Sequence, residues 1–287
     1  MKKPLLLDGA MGTELISRGL ELPLPIWSAN ANLSHPEIVT QIHQDYIDSG
    51  VDIITTNTFR STTWTYRKSG YSKNIAKVKA KESLERGIEC AQNVKGTKRI
   101  AGSITTIDDC YKPEMYPGDD IANDHYPEII NQMINNGIDL LLFETMGNIN
   151  EISVILDIIE SYSVETWFSL IFKGENLLDG NSINEVVDIM KKKNIQVLLN
   201  NCNKLNFNLS GINNLKNKWS DQWGIYPNLG ISDYNNNFFK TVDSNIFLKK
   251  IKTILEMEPD VIGLCCGSNV SYVKRLKQMI EEIKYES

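Results

Sequence analysis

Eight strand-then-helix units along 287 residues predict an α/β protein built as a single (β/α)8 TIM barrel. Short β-branched or leucine-rich runs alternate with longer stretches of helical periodicity over the whole length. No Pro/Gly/Ser linker or low-complexity block interrupts the alternation, so residues 1–287 read as one domain. The two longest loops each follow a strand, which puts both on the C-terminal face, where barrel enzymes keep their active sites. An open doubly wound sheet is the structural runner-up.

The units run in order. Leu5–Asp8 is a leucine run closed by an acid, and a long loop from Gly9 to Leu33, through Pro23, Pro25 and Trp27, leads to the helical pattern Pro36–Ser49. The β-branched run Val51–Asn57 precedes a helix over Asn74–Gln92. Arg99–Ser103 is the third strand, followed by the loop Thr105–Asn123 with Pro113, Pro117 and Gly118 and by a helix over Tyr126–Asn136. The leucine-rich Ile138–Glu144 leads into the helix Ile149–Ser161, and Thr166–Phe172 into Ile183–Lys193. Gln196–Asn201 is followed by a weaker helical pattern at Leu209–Trp219, Trp223–Pro227 by Ile246–Met257, and Asp260–Cys265 by Val270–Ile283.

Thirty Lys and Arg against 36 Asp and Glu give a formal net charge of -6 without a long single-sign block, so the electrostatic footprint of a nucleic-acid binder is missing. Met1 to Leu7 is too short for a signal-peptide apolar region or a membrane span, and a cytoplasmic chain without membrane partners is expected. Five cysteines, an odd number in a chain this long, do not suggest the disulfide framework of a small secreted domain.

The predicted strand ends carry unusual chemistry: Asp8 on the first, Asn57 on the second, Glu144 on the fourth, Asn201-Cys202 on the sixth and Cys265-Cys266 on the eighth. Adjacent cysteines make a poor disulfide with each other, whereas two neighbouring thiolates and a third from a distant strand supply three corners of a tetrahedral metal site. Zinc is the natural occupant, and an open fourth position marks a catalytic site. A buried cysteine also serves as a small core hydrophobe, which is the reading for Cys90 and Cys110. For Cys202, Cys265 and Cys266, spacing alone leaves both readings open.

Six segments resemble one family. They are Asp8-Gly9-Ala10-Met11-Gly12-Thr13-Glu14-Leu15, Thr56-Asn57-Thr58-Phe59, Phe143-Glu144-Thr145, Asn201-Cys202, Tyr226-Pro227-Asn228 and Gly263-Leu264-Cys265-Cys266-Gly267-Ser268. In this order, and over nearly the whole chain, they are similar to the zinc-dependent homocysteine S-methyltransferases. The resemblance implies a homocysteine-binding barrel with zinc on Cys202, Cys265 and Cys266 and the homocysteine sulfur in the fourth position. Glu144 matches the carboxylate that holds the substrate ammonium, Asp8 and Gly9 the first-strand part of the amino-acid pocket, and Thr56, Asn57 and Thr58 its second-strand wall. Two departures stand out. Leu264 and Ser268 replace a usual Gly and Thr, and Leu229-Gly230-Ile231 follows strand seven where many members read Ser-Gly-Glu, which puts the contacts of that strand in doubt.

The chemistry follows from the thiol. An ordinary thiol is mostly protonated at neutral pH, and zinc holds the nucleophilic thiolate form. The methyl donor then needs a leaving group that departs neutral, as a small sulfonium or quaternary ammonium does. S-methylmethionine fits the short single-barrel members and the segment Ile26-Trp27-Ser28-Ala29; S-adenosylmethionine and betaine are neighbouring possibilities. No Gly-x-Gly-x-x-Gly follows a strand, and a folate or cobalamin route is expected to need further domains. Aromatic faces recognise onium groups, so Trp27 and Phe59 are the chosen donor-pocket residues among loop aromatics that include Trp64, Tyr66, Tyr111 and Tyr116. The partners expected are small molecules, with monomer and dimer both open. The alternative on the same residues is a zinc-binding barrel that binds thiols or regulates without methyl transfer, supported by the altered strand-seven loop. A phosphate-binding aldolase is disfavoured because no glycine-rich loop follows strand seven.

Overall fold

A computed structural model describes residues 2–205, 209–233 and 238–283. The barrel strands are β1 (Leu5–Leu6), β2 (Ile53–Thr55), β3 (Arg99–Ile104), β4 (Leu140–Met146), β5 (Thr166–Leu170), β6 (Val197–Lys204), β7 (Gln222–Asn228) and β8 (Val261–Ile262). All eight pair in parallel in the order β1-β8-β7-β6-β5-β4-β3-β2. A parallel bridge between Leu7 and Ile53 closes the last seam, so the eight strands form the predicted barrel rather than an open sheet.

Strand alternation builds two cores. Leu7, Leu140, Leu142, Trp167, Val197, Leu199 and Val261 fill the inside of the barrel. Their neighbours Leu141, Phe143, Phe168, Leu198 and Ile262 point outward under the helices, where the Phe143 and Phe168 rings stack at 4.8 Å. A residue buried on either face is apolar, which is why these strands read as near-continuous hydrophobic runs.

The helices are α1 (Met11–Ser17), α2 (Ala29–Ser34), α3 (Pro36–Asp48), α4 (Thr63–Lys68), α5 (Lys73–Gln92), α6 (Asp119–Asn135), α7 (Ile149–Ile159), α8 (Ile183–Met190), α9 (Ser210–Lys218), α10 (Ser244–Leu255) and α11 (Val270–Glu282). Four of these correct the sequence reading. The first loop contains α1 and α2, and the loop after β2 contains α4, whose start is capped by the Thr62 hydroxyl accepting from Thr65 N–H at 3.1 Å. Helix α6 begins at Asp119, well before the predicted Tyr126. Gly118 supplies a positive φ of 101° just before it, and Asp119 and Asp120 sit favourably in its first turn, so Pro127 is internal to the helix rather than a mark of its start.

Strand ends also differ from expectation. Strands β1 and β8 are shorter than predicted, whereas β4 and β6 run on past Glu144 and Asn201. Both longer strands carry one extra residue against their partner: Phe143 to Met146 faces Phe168 to Leu170, and Asn201 to Lys204 faces Tyr226 to Asn228. These are β-bulges, and they fall on residues the sequence singled out. Phe172 leaves β5 to form a short antiparallel pair, Phe172–Lys173 with Asn176–Leu177. Another hairpin, Gly230–Asp233 with Phe238–Thr241, follows β7. Among the described residues no helix is long and apolar enough to cross a membrane.

Candidate active site

Above the apolar interior the barrel ends in a layer of hydrogen-bonded polar side chains. Asp8, just past β1, accepts the Thr55 N–H at 2.8 Å through Oδ2 and so continues the seam that the Leu7–Ile53 bridge begins. Thr56 Oγ1 accepts the Ser103 N–H at 3.0 Å, and Thr58 Oγ1 donates to the Ser103 carbonyl at 2.8 Å. Ser103 Oγ donates in turn to Glu144 Oε1, and the Tyr226 hydroxyl donates to Glu144 Oε2 at 3.2 Å. Asn201 Oδ1 accepts the Thr145 N–H at 2.9 Å.

A cavity of about 370 Å3 opens on this layer. Asp8, Glu144, Cys202, Cys265 and Cys266 all line it, so strand ends far apart in sequence converge as the barrel reading requires. Burial pushes the Asp8 carboxyl up to about 7, with the Glu144 charge adding to the rise and the Thr55 hydrogen bonds opposing it. Glu144 is part-exposed to the cavity but deep in the barrel mouth, and desolvation there pushes it up to about 7 against the pull of its bonds from Ser103 and Tyr226. Two poorly solvated carboxyls in one cavity form a receptor for a cation.

The three cysteine sulfurs lie within 4.8 Å of one another. The structure joins Cys202 to Cys265 as a disulfide and leaves Cys266 outside it, where three separate thiolates were expected. The reason is proximity: the Cys202 and Cys265 Cα atoms are 5.6 Å apart, inside the range a disulfide spans, whereas the adjacent pair Cys265 and Cys266 keep their sulfurs 4.0 Å apart. Once reduced, the set offers three soft thiolate donors converging from two strand ends, and it fits a tetrahedral ion with one open position. Cys202 reaches the cavity through a left-handed backbone, φ 54°, on the β6 bulge. Cys266 is held from behind, its carbonyl accepting the Leu229 N–H at 2.8 Å.

That bond locates the altered strand-seven loop. Leu229 is buried in the outer core, away from the cavity, and its main-chain N–H supports the Cys266 backbone. Ser268, the other departure, accepts the Ala10 N–H at 2.9 Å and binds the eighth strand end to the first. A side chain on Gly9 would sit 2.7 Å from the Tyr46 hydroxyl and 2.9 Å from Ser268 Oγ, which explains a glycine there. A side chain on Gly12 would strike the Trp27 ring at 2.6 Å, so Gly12 makes room for the indole that lines the cavity.

Other predicted residues separate into two groups. Thr56, Asn57, Phe59, Trp64 and Tyr111 line the cavity with Trp27, whereas Thr58 does not and spends its hydroxyl on Ser103. The Asn57 amide donates to the Ser28 carbonyl at 2.8 Å and to Asn32 Oδ1 at 2.7 Å, tying down the first loop from inside. One face of Phe59 already carries the Arg60 guanidinium, 5.0 Å from the ring centre. Tyr66 is buried against Tyr71, and Tyr116 lines a separate small cleft. Cys110 lines the cavity as a buried thiol, which desolvation pushes up to about 12 and so keeps protonated.

The homocysteine S-methyltransferase family profile matches residues 5–280. The chain belongs to the homocysteine S-methyltransferase family. The Escherichia coli homocysteine S-methyltransferase is 28% identical over 79% of this chain and 78% of its own length. A selenocysteine methyltransferase from Astragalus bisulcatus is 26% identical over 95% of this chain and 91% of its own. Crystal structures of the Escherichia coli homocysteine methyltransferase MmuM, described as its metallated and oxidized forms, each superpose with a TM-score of 0.82 over 97% of this chain and 96% of that one, at 24% and 22% identity, and so share its fold.

Sequence reasoning had left Ser103, Ser169 and Asn201 without roles and had quoted Tyr226 only within a motif. Ser103 and Tyr226 hold both oxygens of Glu144, and their polarity at the inward end of a strand was the available signal. A carboxylate raised to about 7 is mostly neutral below that pH and cannot hold an ammonium. Binding of L-methionine, which has no thiol to titrate, should therefore weaken about tenfold between pH 8 and pH 6, and Glu144→Gln should flatten that profile. Calorimetric titration across this range checks it; an unchanged slope in the variant would remove Glu144 from the role.

Proposed function

We propose that the chain transfers a methyl group from a small onium donor to the sulfur of L-homocysteine, using zinc held by reduced Cys202, Cys265 and Cys266. The observation that carries this reading is the meeting of three cysteine sulfurs and the Glu144 carboxylate in one cavity. Bound there, zinc supplies the homocysteine sulfur in its thiolate form. Glu144 holds the ammonium at its other end, and Ser103 and Tyr226 keep both carboxylate oxygens aimed. The thiolate sulfur forms a bond to the methyl carbon as the donor's C–S bond breaks; the electron pair stays on the donor sulfur, which leaves as a neutral thioether.

Among donors, S-methylmethionine suits the cavity best. Trp27 provides an indole for the sulfonium, and Arg60, Lys68 and Asp108 on the same wall offer both charge signs for an amino-acid tail. Lys68 and Asp108 are already paired at 2.7 Å, which fixes their geometry before a ligand arrives. The homocysteine S-methyltransferase family match over residues 5–280 supports methyl transfer over the zinc-binding alternative.

Reduced, zinc-loaded protein given homocysteine should form methionine from S-methylmethionine, and more slowly from S-adenosylmethionine or betaine; zinc binding with no methionine from any donor would favour the thiol-binding alternative. Replacing Trp27 with Leu keeps bulk and removes the ring quadrupole, so the donor KM should rise about tenfold while homocysteine affinity holds. An equal loss with neutral methyl iodide would show that Trp27 shapes the cavity instead of reading charge.

A further inference from the structure

One buried amide spans the two irregular strand ends that carry Glu144 and Cys202. On β6, Val197 and Leu199 face into the barrel and Leu198 faces out, so unbroken alternation would turn Asn201 inward and Cys202 toward the helices. Asn201 does face inward, to the Ser169 hydroxyl, and the extra residue of the bulge with the left-handed Cys202 backbone brings Cys202 onto the cavity as well. On β4 the bulge holds Glu144 and Thr145, and Thr145 is left-handed too, with φ 62°. A non-glycine residue persists in that region only where its surroundings over-determine it.

Asn201 is fully buried, and its carboxamide reaches across β5 to the second bulge. Its Oδ1 accepts the Thr145 N–H at 2.9 Å and the Ser169 hydroxyl at 2.8 Å, while its Nδ2 donates to Thr145 Oγ1 at 2.9 Å. Two bonds to one residue fix the plane of the amide. Without them a buried N–H loses its partner, and relaxation of the bulge to a regular ladder would move every side chain beyond it to the opposite face.

We propose that Asn201 is a positioning residue that sets the Glu144 carboxylate and the Cys202 sulfur relative to each other, so that one molecule can span the ammonium site and the metal site. This rests on the homocysteine reading above. It separates Asn201 from its neighbour in the motif: Cys202 supplies the sulfur, and Asn201 supplies the distance.

The test uses reduced full-length protein with cobalt(II) as the metal probe, read by its thiolate charge-transfer bands, and homocysteine binding by calorimetry. Asn201→Leu keeps volume and removes the bonds; it should weaken both cobalt(II) and homocysteine binding about tenfold each, while the KM for the methyl donor holds. Adding Thr145→Gly, which adopts a positive φ without help, should recover about fivefold of the homocysteine loss and none of the cobalt loss. A purely structural role would shift the donor KM alongside the rest and show no such selective rescue, which would overturn the proposal. Should Asn201→Leu fail to fold, Thr145→Val removes only the Nδ2 acceptor, and an unchanged homocysteine affinity there would also overturn it. If the unmodified protein binds cobalt(II) through thiolates but not homocysteine, the functional reading fails and this inference falls with it; normal binding in both the unmodified protein and Asn201→Leu rejects the inference alone.

Discussion

The place of Cys202 on the cavity floor depends on one extra residue in β6, and a second bulge in β4 lies beside Glu144. In a regular parallel barrel, side chains alternate strictly, and the inward positions of β4 and β6 are occupied by leucine and valine up to Leu142 and Leu199. The bulges at Glu144–Thr145 and Cys202–Asn203 break that alternation where the apolar filling ends. Below them the barrel is a packed core; at them the same strands present a carboxylate, a hydroxyl and a thiol to the cavity. Left-handed backbone at Thr145 and Cys202 is costly on its own, and at Thr145 two buried hydrogen bonds with Asn201 show where that cost is offset.

The electrostatics follow from this placement. Asp8 and Glu144 both sit where water is scarce, so each carboxyl is raised to about 7, and the charge of one opposes ionisation of the other. A cation placed between them would relieve that opposition and favour the ionised carboxylates. Above pH 7 the unliganded protein carries two desolvated negative charges, so for these groups stability declines as pH rises from the ordinary carboxylate range through about 7. The cavity is thus tuned for binding cations at the expense of some stability. The cations lining its wall, Arg60 and Lys68, are each held by Asp108, through its carbonyl and its carboxylate respectively.

Much of this was legible in the chain. Alternation of β-branched runs with helical periodicity predicts the barrel, and the polar residues at the strand ends predict which of them meet, because a barrel brings all its strand ends to one face. The bulges were not legible. Periodicity ends at Glu144 and at Asn201, and a strand that continues with one residue out of step leaves no pattern to read. For the same reason Asn201 passed as a companion of Cys202, although its hydrogen-bond partners, Thr145 and Ser169, lie 56 and 32 residues away. Helix α6 begins at Asp119, inside the stretch read as loop, because the acidic Asp119-Asp120 turn after Gly118 starts it before its apolar periodicity does. The pairing of Cys202 with Cys265 is a matter of distance in the folded chain, which spacing along the sequence does not supply.

The central claim is that homocysteine completes a metal site built from three cysteines, and counting sulfur ligands tests it most directly. X-ray absorption at the zinc edge of the reduced, zinc-loaded protein should show three sulfur neighbours at about 2.3 Å, rising to four when L-homocysteine is added. A count that stays at three on saturation with homocysteine, or a zinc ion with fewer than three sulfur neighbours at the start, would contradict the account.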